Sequence, residues 1–149
     1  MQPEFRRAAR LVAVDSNSRV LLFRYAPPDG EQFWATPGGG LEDGETFGEA
    51  AEREAVEELG LKHVHLEPLW TRVADFLWGE RIIRQQEQYF LLRSQTYEFP
   101  TDVQEVHRKE NIVEARWWSV EELESSTELI FSEDLAMNLR KVVKLDETR

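Results

Sequence analysis

Three glutamates, Glu54, Glu57 and Glu58, stand at i, i+3 and i+4 just after a glycine turn, PGGG at Pro37 to Gly40. On a helix they fall within an arc of roughly 100°, interleaved with the apolar residues Phe47, Ala50 and Ala51. Carboxylates so spaced repel one another weakly when exposed and far more strongly when desolvated. Arg53 reaches Glu57 at i+4 and Glu49 at i−4, but one guanidinium does not balance the group. One or more divalent cations would, because hard cations take oxygen ligands. The bland alternative is a solvated acidic helix face, the ordinary fate of a glutamate-rich helix.

The element that carries these residues is well marked. Thr46 followed by Glu49 is a capping-box pattern and Gly60 is a suitable stop, so the sequence predicts a helix from about Phe47 to Leu59. Before it, RAARLVAVD and RVLLFRYA flank the turn-rich SNS at Ser16 to Ser18 and read as a hairpin. PPDGEQ at Pro27 to Gln32 reads as a loop, FWAT at Phe33 to Thr36 as a short extended segment, and PGGG as a break in it.

After the helix, HVHLEPLWTRVADF and QEQYFLLRSQ read as strands paired around WGER at Trp78 to Arg81. The polar stretch from Thr96 to Asn111 is long for a structureless connection, so it is either partly structured or a functional loop. ARWWSV is a further strand, with Trp117 and Trp118 on opposite faces. SVEELES is a short helix whose Ser119 and Glu122 form a second capping-box pattern. SEDLAMNLRKVVKL is a last helix with Leu135, Leu139, Val142 and Val143 on one face. Strands before and after helices in this order suggest a mixed sheet covered by helices.

A chain of 149 residues, 41% of them hydrophobic, is long enough for one compact domain and short for two, so residues 1–149 are expected to form a single domain. No run of signal-peptide type is evident, and no apolar stretch approaches the roughly 20 residues of a membrane helix. The absence of cysteine excludes disulfides, zinc-thiolate sites and cysteine nucleophiles, and agrees with a cytoplasmic location. A net charge of −11 opposes binding to a nucleic-acid backbone. A small anionic substrate is compatible with that charge if a divalent cation lies between it and the protein. Arg72, Arg81 and Arg84 are the residues whose local patch would weaken the argument against a long polyanion. His63, His65 and His107 form no triad or zinc pattern and are read as structural or surface residues.

The segment from Gly39 to Leu61 resembles the signature of the Nudix hydrolases, G-x5-E-x7-R-E-U-x-E-E-x-G-U with U aliphatic. Gly39, Glu45, Arg53, Glu54, Glu57, Glu58 and Gly60 occupy every fixed position, with Ala55 and Leu61 at the U positions. The hairpin, the FWATPGGGLE approach and ARWWSVEEL also look like elements of that family. The resemblance implies an α/β (α+β) fold, an α/β/α sandwich with a mixed β-sheet. It implies hydrolysis of a nucleoside diphosphate linked to another moiety by water attack at phosphorus, with Mg2+ or Mn2+ as cofactor. Nucleoside triphosphates, nucleotide sugars, ADP-ribose, dinucleoside polyphosphates and capped RNA ends all remain open as substrates.

By the same resemblance, Glu54, Glu57 and Glu58 are the expected metal ligands, with the backbone carbonyl of Gly38 or Gly39 completing the set. Arg53 is expected to orient the carboxylates, and Glu45 to brace the helix start or to meet Arg53 across the loop. The general base in this family is either a box glutamate or one from a distant loop; here Glu110 is preferred to Glu114. Arg24 is the expected phosphate contact, and Phe33 and Trp34, with Tyr25 and Trp78, are stacking candidates that compete with ordinary core roles. Family members are often dimers, so a homodimer is an open expectation. The rival readings are a Nudix-like domain that senses a nucleotide without hydrolysing it, and an acidic interaction module unrelated to catalysis.

Overall fold

The computed structural model describes residues 2–95 and 98–147. In chain order the first elements are β1 (Glu4–Val14), β2 (Val20–Tyr25), β3 (Phe33–Ala35), β4 (Gly38–Gly40), α1 (Phe47–Leu59), β5 (Glu67–Trp78) and β6 (Arg81–Arg93). They are followed by α2 (Thr101–Lys109), β7 (Ile112–Trp118), α3 (Val120–Ser125), β8 (Ile130–Phe131) and α4 (Leu135–Glu147). The chain divides into two compact units, one of Met1–Val12 and Pro37–Leu92, the other of Ala13–Thr36 and Arg93–Arg149. Among the described residues no helix is long and apolar enough to cross a membrane.

In the first unit β1 lies beside β6, β6 pairs antiparallel with β5, and β4 pairs antiparallel with β1. The pairing of β4 corrects the reading of PGGG as a break. Gly38, Gly39 and Gly40 lie opposite Arg10, Ala9 and Ala8 as a short strand, which glycine's poor strand propensity hides in the sequence. The β5–β6 hairpin turns at Gly79 and Glu80, and His63 to Leu66 lie outside the strand predicted to start there. Helix α1 has the predicted bounds and buries Leu59 together with Ala50, Ala51 and Ala55, alanines whose small size lets it approach the glycine strand closely.

In the second unit β2 is central. Val20, Leu21, Leu22 and Phe23 are buried in succession, as in a strand covered on both faces. β2 pairs antiparallel with β3 and with β7, and β3 pairs parallel with β8, so the pairing is mixed as expected. The hairpin between β1 and β2 closes with Val14 opposite Val20. The polar stretch expected to be a loop or partly structured contains α2, with Val103 and His107 buried; Thr96 and Tyr97 lie outside the described residues. His107 packs against the rings of Phe23 and Phe99 at 4.7 and 4.9 Å, a structural role. Trp118 is buried and Trp117 half-buried, as the alternation predicts. The Ser119–Glu122 capping box is formed at α3, and Leu135, Leu139 and Val142 of α4 enter the core.

Candidate active site

Local chemistry fixes α1 at both ends. The Glu49 N–H donates to Thr46 Oγ1 at 3.1 Å and the Thr46 N–H donates to Glu49 Oε1 at 3.0 Å. At the other end Gly60 adopts a left-handed φ of 71°, and its N–H donates to Val56 O. Between these ends Glu54 and Glu58, one turn apart, are 4% and 0% exposed, whereas the Glu57 side chain is 43% exposed. Two of the three predicted carboxylates are thus desolvated, which an ordinary acidic helix face does not do.

The glycine strand receives them. The Gly38 N–H donates to Glu58 Oε1 at 2.8 Å. A Cβ on Gly39 would lie 2.6 Å from Glu54 Oε1, so only glycine leaves room for that carboxylate against the backbone. Gly38 has a φ of 142° and a Cβ there would fall 2.1 Å from the Ala9 carbonyl oxygen, so its glycine is demanded by the strand pairing itself.

Arg53 ties the cluster together. Its Nε and Nη2 donate to the two oxygens of Glu45 at 2.8 and 2.9 Å, a bidentate pair. Its Nη1 donates to Glu54 Oε1 at 3.0 Å and to Glu57 Oε2 at 3.2 Å, and Nη2 also donates to the Gly40 carbonyl at 3.0 Å. Glu49, the other acid within sequence reach, spends its carboxylate on the capping box. The hydrogen bond from Arg53, with a second from the Glu42 N–H, holds the Glu45 carboxyl down at about 2. The same bond, accepted by Glu45, raises Arg53 further above its already high value.

Among the described residues no three Asp, Glu or His side chains are already converged as metal ligands, and a guanidinium lies between Glu54 and Glu57. The residues nevertheless fit a hard divalent cation. The donors are carboxylate oxygens, two of them buried; the Gly39 cradle admits one of those carboxylates to the main chain; and Glu57 presents a third to the exterior.

The remaining expected site residues lie in the second unit, except Trp78, which is exposed at the end of β5 in the first unit. Arg24 pairs with Glu114 at 2.9 Å from the neighbouring strand β7, and its guanidinium lies over the Trp34 ring, 5.8 Å from the centroid. Trp34 is buried edge-on against Trp118, so its ring belongs to the core. Phe33 is half-buried, stacked on Tyr25 at 5.3 Å and edge-on to Phe131. Glu110 is exposed at the C-terminal cap of α2, not in an open loop, and Glu114 lies within β7 rather than at its edge.

The expected basic patch is dispersed by pairing: Arg72 meets Glu87, Arg81 meets Glu4 and Arg84 meets Asp75. Two features escaped the sequence reading. Glu42 and the Gly40 carbonyl join the Arg53 network, and Arg6, Arg10 and Arg72 gather around Gln85, Glu87 and Tyr89. The signal for the second was the alternation of polar residues along β1 and β6, Arg6 with Arg10 and Gln85 with Glu87, in strands otherwise rich in apolar residues.

Comparison with known proteins identifies the family. The NUDIX domain model matches residues 4–141. An RNA pyrophosphohydrolase from Novosphingobium aromaticivorans is 29% identical over 131 residues, covering 80% of each chain. Another RNA pyrophosphohydrolase, from Shewanella pealeana, is 34% identical over 88 residues, covering 50% of this chain and 49% of the relative. Among solved structures, the E. coli dihydroneopterin triphosphate pyrophosphohydrolase superposes with a TM-score of 0.69 at 19% identity, over 93% of this chain and 95% of the other. A MutT NUDIX hydrolase from Burkholderia pseudomallei gives a TM-score of 0.66 at 20% identity, over 91% and 98%. The fold is therefore the mixed α/β arrangement of Nudix structures, and the chain belongs to the NUDIX domain family.

Proposed function

We propose that this chain is a metal-dependent hydrolase that cleaves the diphosphate linkage of a nucleoside diphosphate joined to another moiety. The single observation that supports this most is the seating of two buried glutamates, Glu54 and Glu58, on a glycine strand with Glu57 exposed beside them. Such a donor set is costly to desolvate unless a cation compensates it.

Glu54, Glu57 and Glu58, with the main chain of Gly38 and Gly39, would hold Mg2+ or Mn2+. When bound, such an ion offsets phosphate charge, polarises a phosphoryl oxygen and lowers the pKa of water. Glu57 is the carboxylate most open to solvent and is the main determinant of metal binding in this reading. Arg53 contacts no substrate: it clamps Glu45 and, through the same guanidinium, sets the positions of Glu54 and Glu57. Glu110, exposed and not engaged in any strand, is the candidate base that takes a proton from the attacking water onto its carboxylate. Arg24, held by Glu114, would meet a substrate phosphate, Trp34 would support that guanidinium from beneath, and Phe33 would offer a ring face to a base. In this reading residues 1–149 act as one domain, since the family match runs through both units.

The substrate is a small nucleotide derivative, consistent with a net charge of −11. The RNA pyrophosphohydrolase relatives add RNA 5′ ends to the compounds worth testing. The test is a hydrolysis panel covering nucleoside di- and triphosphates, nucleotide sugars, ADP-ribose, dinucleoside polyphosphates and RNA ends, run with Mg2+, with Mn2+ and with chelator. Metal-dependent release of phosphate products is expected. Nucleotide binding without turnover on any compound would favour a sensor, and neither binding nor turnover an interaction module.

A further inference from the structure

Strand β5 lies at one end of the sheet order in the first unit, and among the described residues its one strand neighbour is β6. The other row of its backbone N–H and C=O groups has no strand beside it, and at 12 residues the row is long. Folded chains blunt such an edge with lysine, proline or a bulge. Here the register shift falls between Pro68 and Thr71. From Thr71 to Trp78 the strand pairs with β6 residue for residue and holds neither lysine nor proline.

That regular stretch is also apolar and open. Val73 is 64% exposed, Leu77 74%, Trp78 57% and Phe76 36%. By alternation Val73 and Leu77 share one face of the sheet, and Phe76 and Trp78 the other, so both faces of the edge expose apolar side chains. A long, apolar, unprotected edge is a template for another strand.

The strand that complements it is β5 itself. Its two charges between Thr71 and Trp78, Arg72 and Asp75, cancel, so this stretch carries none of the excess of a chain whose net charge is −11. Two antiparallel copies related by a two-fold axis place one residue opposite its own counterpart, with the flanking residues crossed. An axis at Arg72 or at Asp75 sets like charges opposite each other, and one at Ala74 sets Val73 against a carboxylate. An axis at Val73 avoids both. It sets valine on valine, Trp70 beside Phe76 of the partner subunit, and the Thr71 hydroxyl where it donates to Asp75 of the partner subunit.

We propose that this edge is the interface of a homodimer, in which β5 pairs antiparallel with β5 of a second copy about a two-fold axis at Val73. The sheet of one copy then continues into the other, and the pairing closes on itself because each edge is used once. No residue of the carboxylate cluster takes part, so the dimer stands or falls apart from the hydrolase reading.

The experiment has two arms. In the first, sedimentation velocity is run on wild type, Val73→Lys and, as an exposed apolar control from α4 in the second unit, Met137→Lys. At about 50 μM wild type and the control are expected to sediment as dimers, and Val73→Lys as a monomer with its dissociation constant raised at least about tenfold. A wild type that is still monomeric at about 200 μM overturns the proposal and leaves the edge to an extended segment of a different protein. Dimerisation of Val73→Lys at wild-type strength overturns it as well. The second arm uses the absence of cysteine from the chain and a change small enough to spare the fold. Opposed residues of antiparallel strands lie about 4.5–5.5 Å apart at Cα, within reach of a disulfide. Under oxidised glutathione Val73→Cys is expected to crosslink into dimers. Asp75→Cys, displaced about 13 Å along the strand from its counterpart in this register, is expected to stay uncrosslinked. An uncrosslinked Val73→Cys, or equal crosslinking of the two variants, overturns the pairing.

Discussion

A Cβ on Gly39 would lie 2.6 Å from Glu54 Oε1, so the bareness of one residue is what lets the other bring a buried carboxylate against the main chain. Gly38, its neighbour, is constrained differently: its Cβ would strike backbone, the Ala9 carbonyl oxygen at 2.1 Å, at a φ of 142°.

The two glycines should therefore fail in different ways. Gly39→Ala displaces the end of a flexible side chain, so a stability loss of about 1 kcal/mol is expected alongside an activity loss of about 100-fold. Gly38→Ala should cost about 3 kcal/mol or more, because backbone must move. Urea melts and turnover on the same preparations check both. Equal stability losses in the two variants would show that the site does not depend on this distinction.

Arg53→Lys tests whether a charge suffices at that position. Lysine has one donor group where the guanidinium spans Glu45, Glu54, Glu57 and the Gly40 carbonyl at once. Turnover should fall about 100-fold while the far-ultraviolet spectrum of α1 persists. A lysine variant with wild-type turnover would reduce Arg53 to a counter-ion.

Glu45 provides the pH dependence. The Arg53 hydrogen bond depresses its carboxyl from an ordinary 4.5 to about 2 in the folded chain. The unfolded chain therefore takes up the proton first as pH falls, and the contribution of Glu45, intact above about 4.5, is lost towards about 2. The stability gap between wild type and Glu45→Gln, read from urea midpoints, should be constant from about pH 7 to about pH 5 and shrink below that. A gap that is unchanged at about pH 3 would mean that the pair is not what holds the loop.

How much of this was legible in the sequence depends on how local each feature is. Helix α1 has the predicted bounds because Thr46, Glu49 and Gly60 each act within one turn of their own position. Glu45 and Arg53 are legible because both sit in a fixed-spacing segment. The β4 strand is not, because three glycines carry no strand propensity and their pairing comes from β1, about 30 residues earlier. Helix α2 is hidden for a related reason: it buries only Val103 and His107 and has no side-chain N-cap. The contact of Arg10 with Glu87 spans 77 positions, and nothing short of the folded sheet brings them together.

Metal binding should be visible without turnover. At a concentration about 100 times its Kd, Mg2+ or Mn2+ should stabilise the fold by about 2.7 kcal/mol, raising Tm, and chelator should reverse the shift. Glu57→Gln, which removes the most exposed carboxylate of the three, should abolish most of that rise. An equal rise in the variant would place the ion elsewhere.

The most direct test of the central claim is turnover of Glu57→Gln against wild type on the best compound of the panel, with Mg2+ titrated from zero to saturation. The buried pair Glu54 and Glu58 is untouched by this change, so the fold is expected to persist. Metal-dependent turnover in wild type with a loss of about 100-fold or more in the variant is the predicted result. Wild-type kcat and an unshifted metal requirement in Glu57→Gln would contradict the assignment of this carboxylate cluster as the catalytic centre.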